Sequence, residues 1–442
     1  MAQELLTEAP PEPTAQQPAP SEQQPTVPPA TAKPTFLQQR LQSLDAYRGL
    51  IMITLAFTGF GLARTAILNL KWINSEFLHK ELASVANFWN QVLFQFEHAE
   101  WVGGGYWDMI QPSFMFMVGV AMAYSYAKRQ RTGDSWWKMF GHAVLRSFVL
   151  IFLGIFLISN WSSSTNWSFM NVLTQIGLGY TFLFLLWNRP IWLQAGAAVI
   201  ILVGTWALYM AYPTDGIDLQ TGDPSVGVTA KWAQDNLIGI DPHWHKNANV
   251  GHAIDLTVLN WLPQNKPFVY NRGGYQTINF LPSLATMLFG LMTGELLRSS
   301  RSDQYKLWMI VCFGIVGIAA GWALDEAGIC PLVKRIWTPS WALYSTGCCL
   351  LILGTLFFVI DMMKFRNWAF PLIVVGVNSI AIYCMAQLLK PWVEKTWKIH
   401  FGNNVFLFGG ELYQPLVQYT IIGLTFWLMC YWMYRQKMFV RI

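Results

Sequence analysis

Residues 111–127 read QPSFMFMVGVAMAYSYA. The run carries no charge. Counted from Asp108, it has the length of roughly 20 residues that a helix needs to cross a bilayer core about 30 Å thick. Similar runs recur near 47–69, 138–159, 170–187, 190–212, 276–297, 305–325, 339–361, 367–389 and 414–434. Together they predict about ten spans at that length. The 442-residue chain is 54% hydrophobic and 12% charged, whereas a soluble domain carries about 25% charged residues. Too few charges remain to cover a water-facing surface. The expected fold class is all-α, a polytopic membrane helix bundle whose first partner is the lipid bilayer.

An even number of spans puts both termini on one face, and charge selects the face. Lys128, Arg129, Arg131 and Lys138 crowd one short linker. Arg40, Arg48, Arg189, Arg298, Arg301, Lys306, Lys364, Arg366, Arg435, Lys437 and Arg441 fall at the same end. The short loop 160–169 at the other end has no cation. Short basic loops stay inside, so both termini are expected in the cytoplasm. Loops 70–107, 213–275, 326–338 and 390–413 then face outward. Within the first, ASVANFWNQVLFQFE (83–97) has apolar positions at helical spacing and predicts an interfacial helix.

Residues 1–36 are rich in Pro, Gln, Ala and Glu. They offer little apolar surface to bury and predict a disordered cytoplasmic tail ahead of a transmembrane domain at 37–442. The net charge of +5 is scattered over short loops rather than gathered into a stripe, which excludes a nucleic-acid partner. The six cysteines form no CxxC or disulfide pattern. His243, His245 and His252 are spaced unlike any standard zinc motif, and no metal is expected.

The chemistry-bearing stretch is QFEHAEWVGGGYWDMI (95–110). His98 lies between Glu97 and Glu100, with Asp108 ten residues on. An imidazole is partly neutral near pH 7, so it can act as nucleophile or general base. A neighbouring carboxylate, Asp108 or Glu100, can orient it. Pro112 lacks the N–H that would bond the Asp108 carbonyl. GGG (103–105) allows a close approach of the chain to a ligand or a helix. Ionisable residues inside spans are functional candidates by default. Arg146 lies well inside the third span, and its guanidinium suits a phosphate or carboxylate. Asp45 and Arg48 open the first span as an i,i+3 pair.

RLQSLDAYRGL, EHAEW, YWDMIQPSFMFMVGVAM, RSFVLIFLGIFLIS, NVLTQIGLGY, TINFLPSLATMLFGLMTGELL, KRIWTPSWALYSTG, VVGVNSIAIY and YRQKMFVRI follow one another in order. Over residues 40–442 this ordered set resembles the transmembrane N-acetyltransferase family of the lysosomal heparan-α-glucosaminide enzyme and its bacterial relatives. The resemblance implies that His98 is the active histidine and that Asp108, Arg146 and Asn378 occupy family positions. It implies acetyl-CoA as acyl donor and a sugar or polysaccharide acceptor on the far side of the membrane. Departures fall on polar positions: Gly59 where the family has asparagine, Thr174–Gln175 for Gln–Arg, and Asn271 and Gly273 for an acidic pair.

The expected function is transfer of an acetyl or acyl group from acyl-CoA to an amine or hydroxyl of a sugar-type acceptor. His98, Asp108 and Glu100 would form the catalytic set. Arg146, Arg48, Asp45, Gln175 and Asn378 would bind the donor, and a homodimer is compatible. The alternatives are a transporter or flippase, or a degenerate subunit of a membrane complex on the same fold.

Overall fold

The computed structural model describes residues 41–75, 83–214 and 222–440. The tail expected at 1–36, together with Arg40 and Arg441, lies outside the described residues.

Among the described residues the regular elements are helices and no strand forms. In chain order they are α1 (Gln42–Ala56), α2 (Leu62–Ser75), α3 (Ala83–Phe96), α4 (Ile110–Arg131), α5 (Trp136–Ser159), α6 (Val172–Leu186), α7 (Ile191–Met210) and α8 (Ala230–Asn236). There follow α9 (Val250–Asn260), α10 (Phe280–Arg298), α11 (Asp303–Glu326), α12 (Pro339–Leu356), α13 (Phe370–Gly376), α14 (Ser379–Leu388), α15 (Lys390–Phe401) and α16 (Gln414–Arg435). Polar side chains start several of them. The oxygens of Ser135, Asn171, Ser302 and Thr338 accept from first-turn N–H groups of α5, α6, α11 and α12. Each satisfies an N–H that has no partner within its helix.

Among the described residues six helices are long and apolar enough to cross a membrane, and eight spans result if each of two bent pairs is counted as one. The chain is an integral membrane protein. Each expected apolar run became a helix or a bent pair, but two fail the length-and-apolarity test. α6 is short, with 15 residues, or about 22 Å at 1.5 Å per residue. α4 is long enough, but its polar residues and terminal cations dilute its apolar character. The first bent pair is α1 with α2, at 51°, and the second is α13 with α14, at 66°. The helix expected near 83–97 is α3.

α10 and α12 are the most enclosed of the six candidate spans, whereas α5, α7, α11 and α16 turn large apolar side chains outward. Lipid is as apolar as leucine, so helices in a bilayer associate through close packing of small residues. α4 and α10 meet in this way. A Cβ on Gly119 would lie 1.9 Å from the Met287 carbonyl oxygen, and one on Gly290 would lie 2.0 Å from that of Phe116. α1 and α13 cross just as closely at Gly49 and Gly376.

The long loop after α7 folds into a cap. Its core gathers Trp101, Tyr209, Val228, Trp244, Val333 and Ile336. The Trp101 indole N–H donates to the Trp244 carbonyl at 3.1 Å. This core joins the segment that follows α3 to the loop ahead of α12, and the candidate site lies at that join.

Candidate active site

α3 ends at Phe96, and the chain then turns back through 97–105 to a short 3-10 turn, Tyr106–Met109, which leads into α4. Asp108 therefore stands just ahead of the helix, not inside it. Pro112 falls in the first helical turn, where an N–H would have no partner in any case. Two of the three glycines serve packing against the protein itself. A Cβ on Gly105 would lie 2.2 Å from the Phe94 carbonyl oxygen, and one on Gly104 would press on the Trp341 ring. Gly103 is left-handed (φ +86°), and its N–H donates to the Leu332 carbonyl at 2.7 Å.

The Asp108 side chain is 1% exposed and organises the turn. Its Oδ2 accepts from the Ala99 N–H at 3.0 Å and the Gly105 N–H at 3.3 Å. Its Oδ1 faces His98 Nδ1 at 2.7 Å and accepts from Lys334 Nζ at 3.0 Å. Lys334 Nζ is also 3.2 Å from His98 Nδ1. One ring nitrogen cannot both donate to the carboxylate and accept from the ammonium. The shorter contact fixes the assignment: Nδ1–H donates to Asp108, and Lys334 is bound through Oδ1. Burial pushes the Asp108 carboxyl up. The His98 hydrogen bond, the Lys334 ammonium and the Ala99 N–H more than offset this and hold it at about 2.

This leaves His98 Nε2 without a hydrogen bond among the described residues, on a side chain that is 44% exposed. The neighbouring wall is the Trp107 ring, 6.1 Å between centroids. Arg335 braces the loop. Its Nε and Nη2 donate to the Ala99 carbonyl at 3.1 and 3.0 Å, and its Nη1 donates to the Gly273 carbonyl at 2.9 Å. Asn271 shapes the receiving turn by accepting from Gly273 N–H at 2.8 Å. A buried acid that orients an imidazole through Nδ1 and leaves Nε2 open can support general-base or nucleophilic chemistry.

The expected residues divide into separate groups. Glu100 accepts from the Trp232 indole N–H at 3.1 Å, so its carboxylate turns to the cap rather than to the imidazole. Arg146 lies over the Tyr180 ring, 4.8 Å from its centroid, away from the His98 group. Asp45 and Arg48 are 3.6 Å apart at the start of α1. Gln175 donates to the Phe169 and Thr277 carbonyls at 2.7 and 3.1 Å and ties α6 to the start of α10. Asn378 sits between α13 and α14. There it donates to the Met438 carbonyl and accepts from the Val440 N–H, each at 3.1 Å. The structure thus brings His98 and Asp108 together, and the Asp45 carbonyl meets Gly376, two residues before Asn378, where α1 crosses α13. Gly59 is packed under Phe96 and Trp107, which a Cβ would meet at 3.0 and 3.2 Å.

Lys334 and Arg335 were missed in the sequence. They stand in the quoted KRIWTPSW stretch, but adjacent cations in a loop between two spans look like solvated charge. The histidines of the cap go separate ways. His243 Nδ1 meets Asp241 at 2.5 Å, His245 Nε2 meets the Ile240 carbonyl at 3.0 Å, and His252 lies by Phe268. Among the described residues no three His, Cys, Asp or Glu converge as a metal site.

No protein-family model matches the chain. Human heparan-alpha-glucosaminide N-acetyltransferase is 22% identical over 461 residues, covering 94% of this chain and 62% of the relative. The mouse protein of that name is 21% identical over 451 residues, covering 91% and 60%. This chain spans about three fifths of the length of these curated relatives. Across nearly all of its own length, the chain resembles the heparan-alpha-glucosaminide N-acetyltransferases.

Proposed function

We propose that the protein is a membrane acyltransferase that moves an acetyl group from acetyl-CoA to an amine or hydroxyl of a sugar-type acceptor at its outer face. The observation that carries this reading is the His98–Asp108 contact of 2.7 Å, with Nε2 left open on a half-exposed ring. The heparan-alpha-glucosaminide N-acetyltransferase activity named for the human and mouse relatives supports acetyl transfer to a glucosamine as the reaction class.

In the covalent route, Nε2 attacks the thioester carbonyl carbon. The C–S bond breaks, and the coenzyme leaves as a thiolate that takes up a proton. Asp108 stabilises the imidazolium through Nδ1–H. The acceptor nitrogen or oxygen then attacks the acetyl-imidazole, the bond from the acetyl carbon to Nε2 breaks, and the acceptor's proton passes to the freed Nε2 and on to solvent. In the direct route, the same nitrogen takes the proton of the attacking amine or hydroxyl. Lys334 keeps the Asp108 carboxylate charged in both routes. Of the five expected donor residues, Gln175 has a buried Oε1 without a hydrogen bond and Arg146 a buried Nε without one. A phosphate or carbonyl oxygen of the donor would satisfy it.

The reading includes ten spans, a tail at 1–36 ahead of the domain at 37–442, and both termini on the cytoplasmic side of a bacterial inner membrane. The distribution of Lys and Arg supports that orientation. A carrier is the second reading, because two spans are bent at breaks, as in transporters that bind substrate at discontinuous helices. Purified protein in lipid nanodiscs, given acetyl-CoA and glucosamine, distinguishes the two. Release of free thiol together with acetylated glucosamine supports the enzyme. Movement of substrate across proteoliposomes with no thioester cleavage rejects it.

A further inference from the structure

The bend in the first span is a left-handed turn. φ is positive at four successive residues: Thr58 (52°), Gly59 (58°), Phe60 (56°) and Gly61 (67°). The left-handed region costs an L-residue about 1–2 kcal/mol, and a β-branched residue such as Thr58 is an outlier there. Such strain persists only where the surroundings hold it, and it clusters at ligand clamps and switch regions.

The surroundings here are well defined. Gly61 is pressed against the Pro415 carbonyl and the Tyr419 ring. Lys390, the first residue of α15, donates from Nζ to Thr58 Oγ1 at 2.5 Å. Arg64, one turn into α2, lies with its guanidinium carbon 5.3 Å from the centroid of the same Tyr419 ring. Lys334, Lys306 and Lys398 each have a carboxylate within 4 Å. Neither Lys390 nor Arg64 forms an ion pair among the described residues. Burial, and then the nearby Arg64, hold the Lys390 ammonium down at about 8. A partly buried Lys390 and an exposed Arg64 thus stand near one another, and neither has a carboxylate partner among the described residues.

We propose that Lys390 and Arg64, with the Thr58 hydroxyl, form a binding site for an oxyanion group (phosphate, sulfate or carboxylate) carried by a substrate. An anion here supplies the missing charge and receives charge-assisted hydrogen bonds, and the N-terminal dipole of α15 adds to the attraction. The strained turn connects this corner to the reaction centre. Gly59 touches Trp107, and Trp107 flanks the His98 ring. Which substrate carries the group depends on the acyltransferase reading; binding of the anion itself does not.

The test uses the full chain in detergent at constant ionic strength. Chloride is replaced by sulfate, and thermal unfolding is followed. Sulfate stabilises most proteins by exclusion from their surface, so the readout is the difference between variants. Wild type and H98A are expected to gain more than K390Q and R64Q. R64Q alters an exposed side chain, so it keeps the test valid if K390Q folds poorly. Two ligand pairs then identify the source: acetyl-CoA against acetyl-pantetheine, and glucosamine 6-phosphate against glucosamine. Within one pair, R64Q and K390Q should weaken the anionic member about ten-fold, or about 1.4 kcal/mol, and spare the neutral one. Equal sulfate gains in all four proteins overturn the site. So does an equal loss for the charged and neutral members of both pairs. Loss of transfer in H98A with the sulfate difference intact separates this site from the catalytic reading.

Discussion

Asp108 and Asp255 are both buried at the end of the bundle that carries the cap, and desolvation pushes both carboxyls up. At Asp108 the imidazole, the Lys334 ammonium and the Ala99 N–H reverse the push, and the group sits at about 2. At Asp255, in α9, burial wins over the bonds from Thr277, and the group sits at about 6. Their surroundings explain the difference. Asp108 is approached by a cation from a loop 226 residues away. Asp255 is met by Thr277, whose N–H donates to its two oxygens at 3.2 and 3.1 Å, and by no cation among the ion pairs of the described residues. The first arrangement keeps a full negative charge to orient an imidazole. The second is a docking contact between the cap and the start of α10.

If that contrast is functional, its catalytic half should give the largest effects. Asp108→Asn keeps the size of the side chain but removes its charge and frees the ring to adopt the other tautomer. Turnover should fall by about 10²–10⁴-fold, the range for loss of an oriented acid–base group. A loss of less than about three-fold would show that the carboxylate does not tune His98. Lys334→Met should cost about ten-fold in turnover. It should also raise the Asp108 carboxyl towards the ordinary 3.8. Stability measured against pH checks this second effect. A depressed carboxyl contributes stability that is fully present above 3.8 and lost as pH falls through about 2. The shift is worth about 2 kcal/mol in wild type, and the variant should lose part of it.

Asp255 predicts the opposite sign. Its raised carboxyl contributes stability that is fully present below 3.8 and lost as pH rises through about 6. Asp255→Asn keeps an acceptor for Thr277 and removes the charge. It should raise stability at pH 7.5 by about 1–2 kcal/mol, with little gain at pH 4, and leave acetyl transfer unchanged. A gain that does not vary with pH would show that the titration of Asp255 is not the cause. The smallest effect is at Gly59. A Cβ would crowd Phe96 and Trp107 at a left-handed position, so Gly59→Ala should cost about 1 kcal/mol of stability.

The spans were readable in the sequence because a bilayer demands long apolar runs, and those runs dominate the composition. The bends were less readable. FTGFG (57–61) reads as ordinary apolar chain, and its left-handed turn is held by Phe96, Trp107, Tyr419 and Lys390, all distant in sequence. The pairing of His98 with Asp108 was accessible, since ten residues and a glycine turn separate them. Lys334 was not, because nothing local distinguishes it from a loop cation. Glu100 stands closer to His98 in sequence than Asp108 does, yet its partner is Trp232 in the cap. Arg146 was visible as a cation within a span, but the Tyr180 ring that receives it comes from α6. Sequence patterning identified the charged groups, and packing between distant segments determined their partners.

The most direct test of the central claim is acetyl transfer by His98→Ala beside wild type, in the same nanodiscs with acetyl-CoA and an amino sugar. The reading predicts acetylated product from wild type and a loss of about 10³-fold or more in the variant, with thermal stability preserved. Transfer by the variant at the wild-type rate would contradict it.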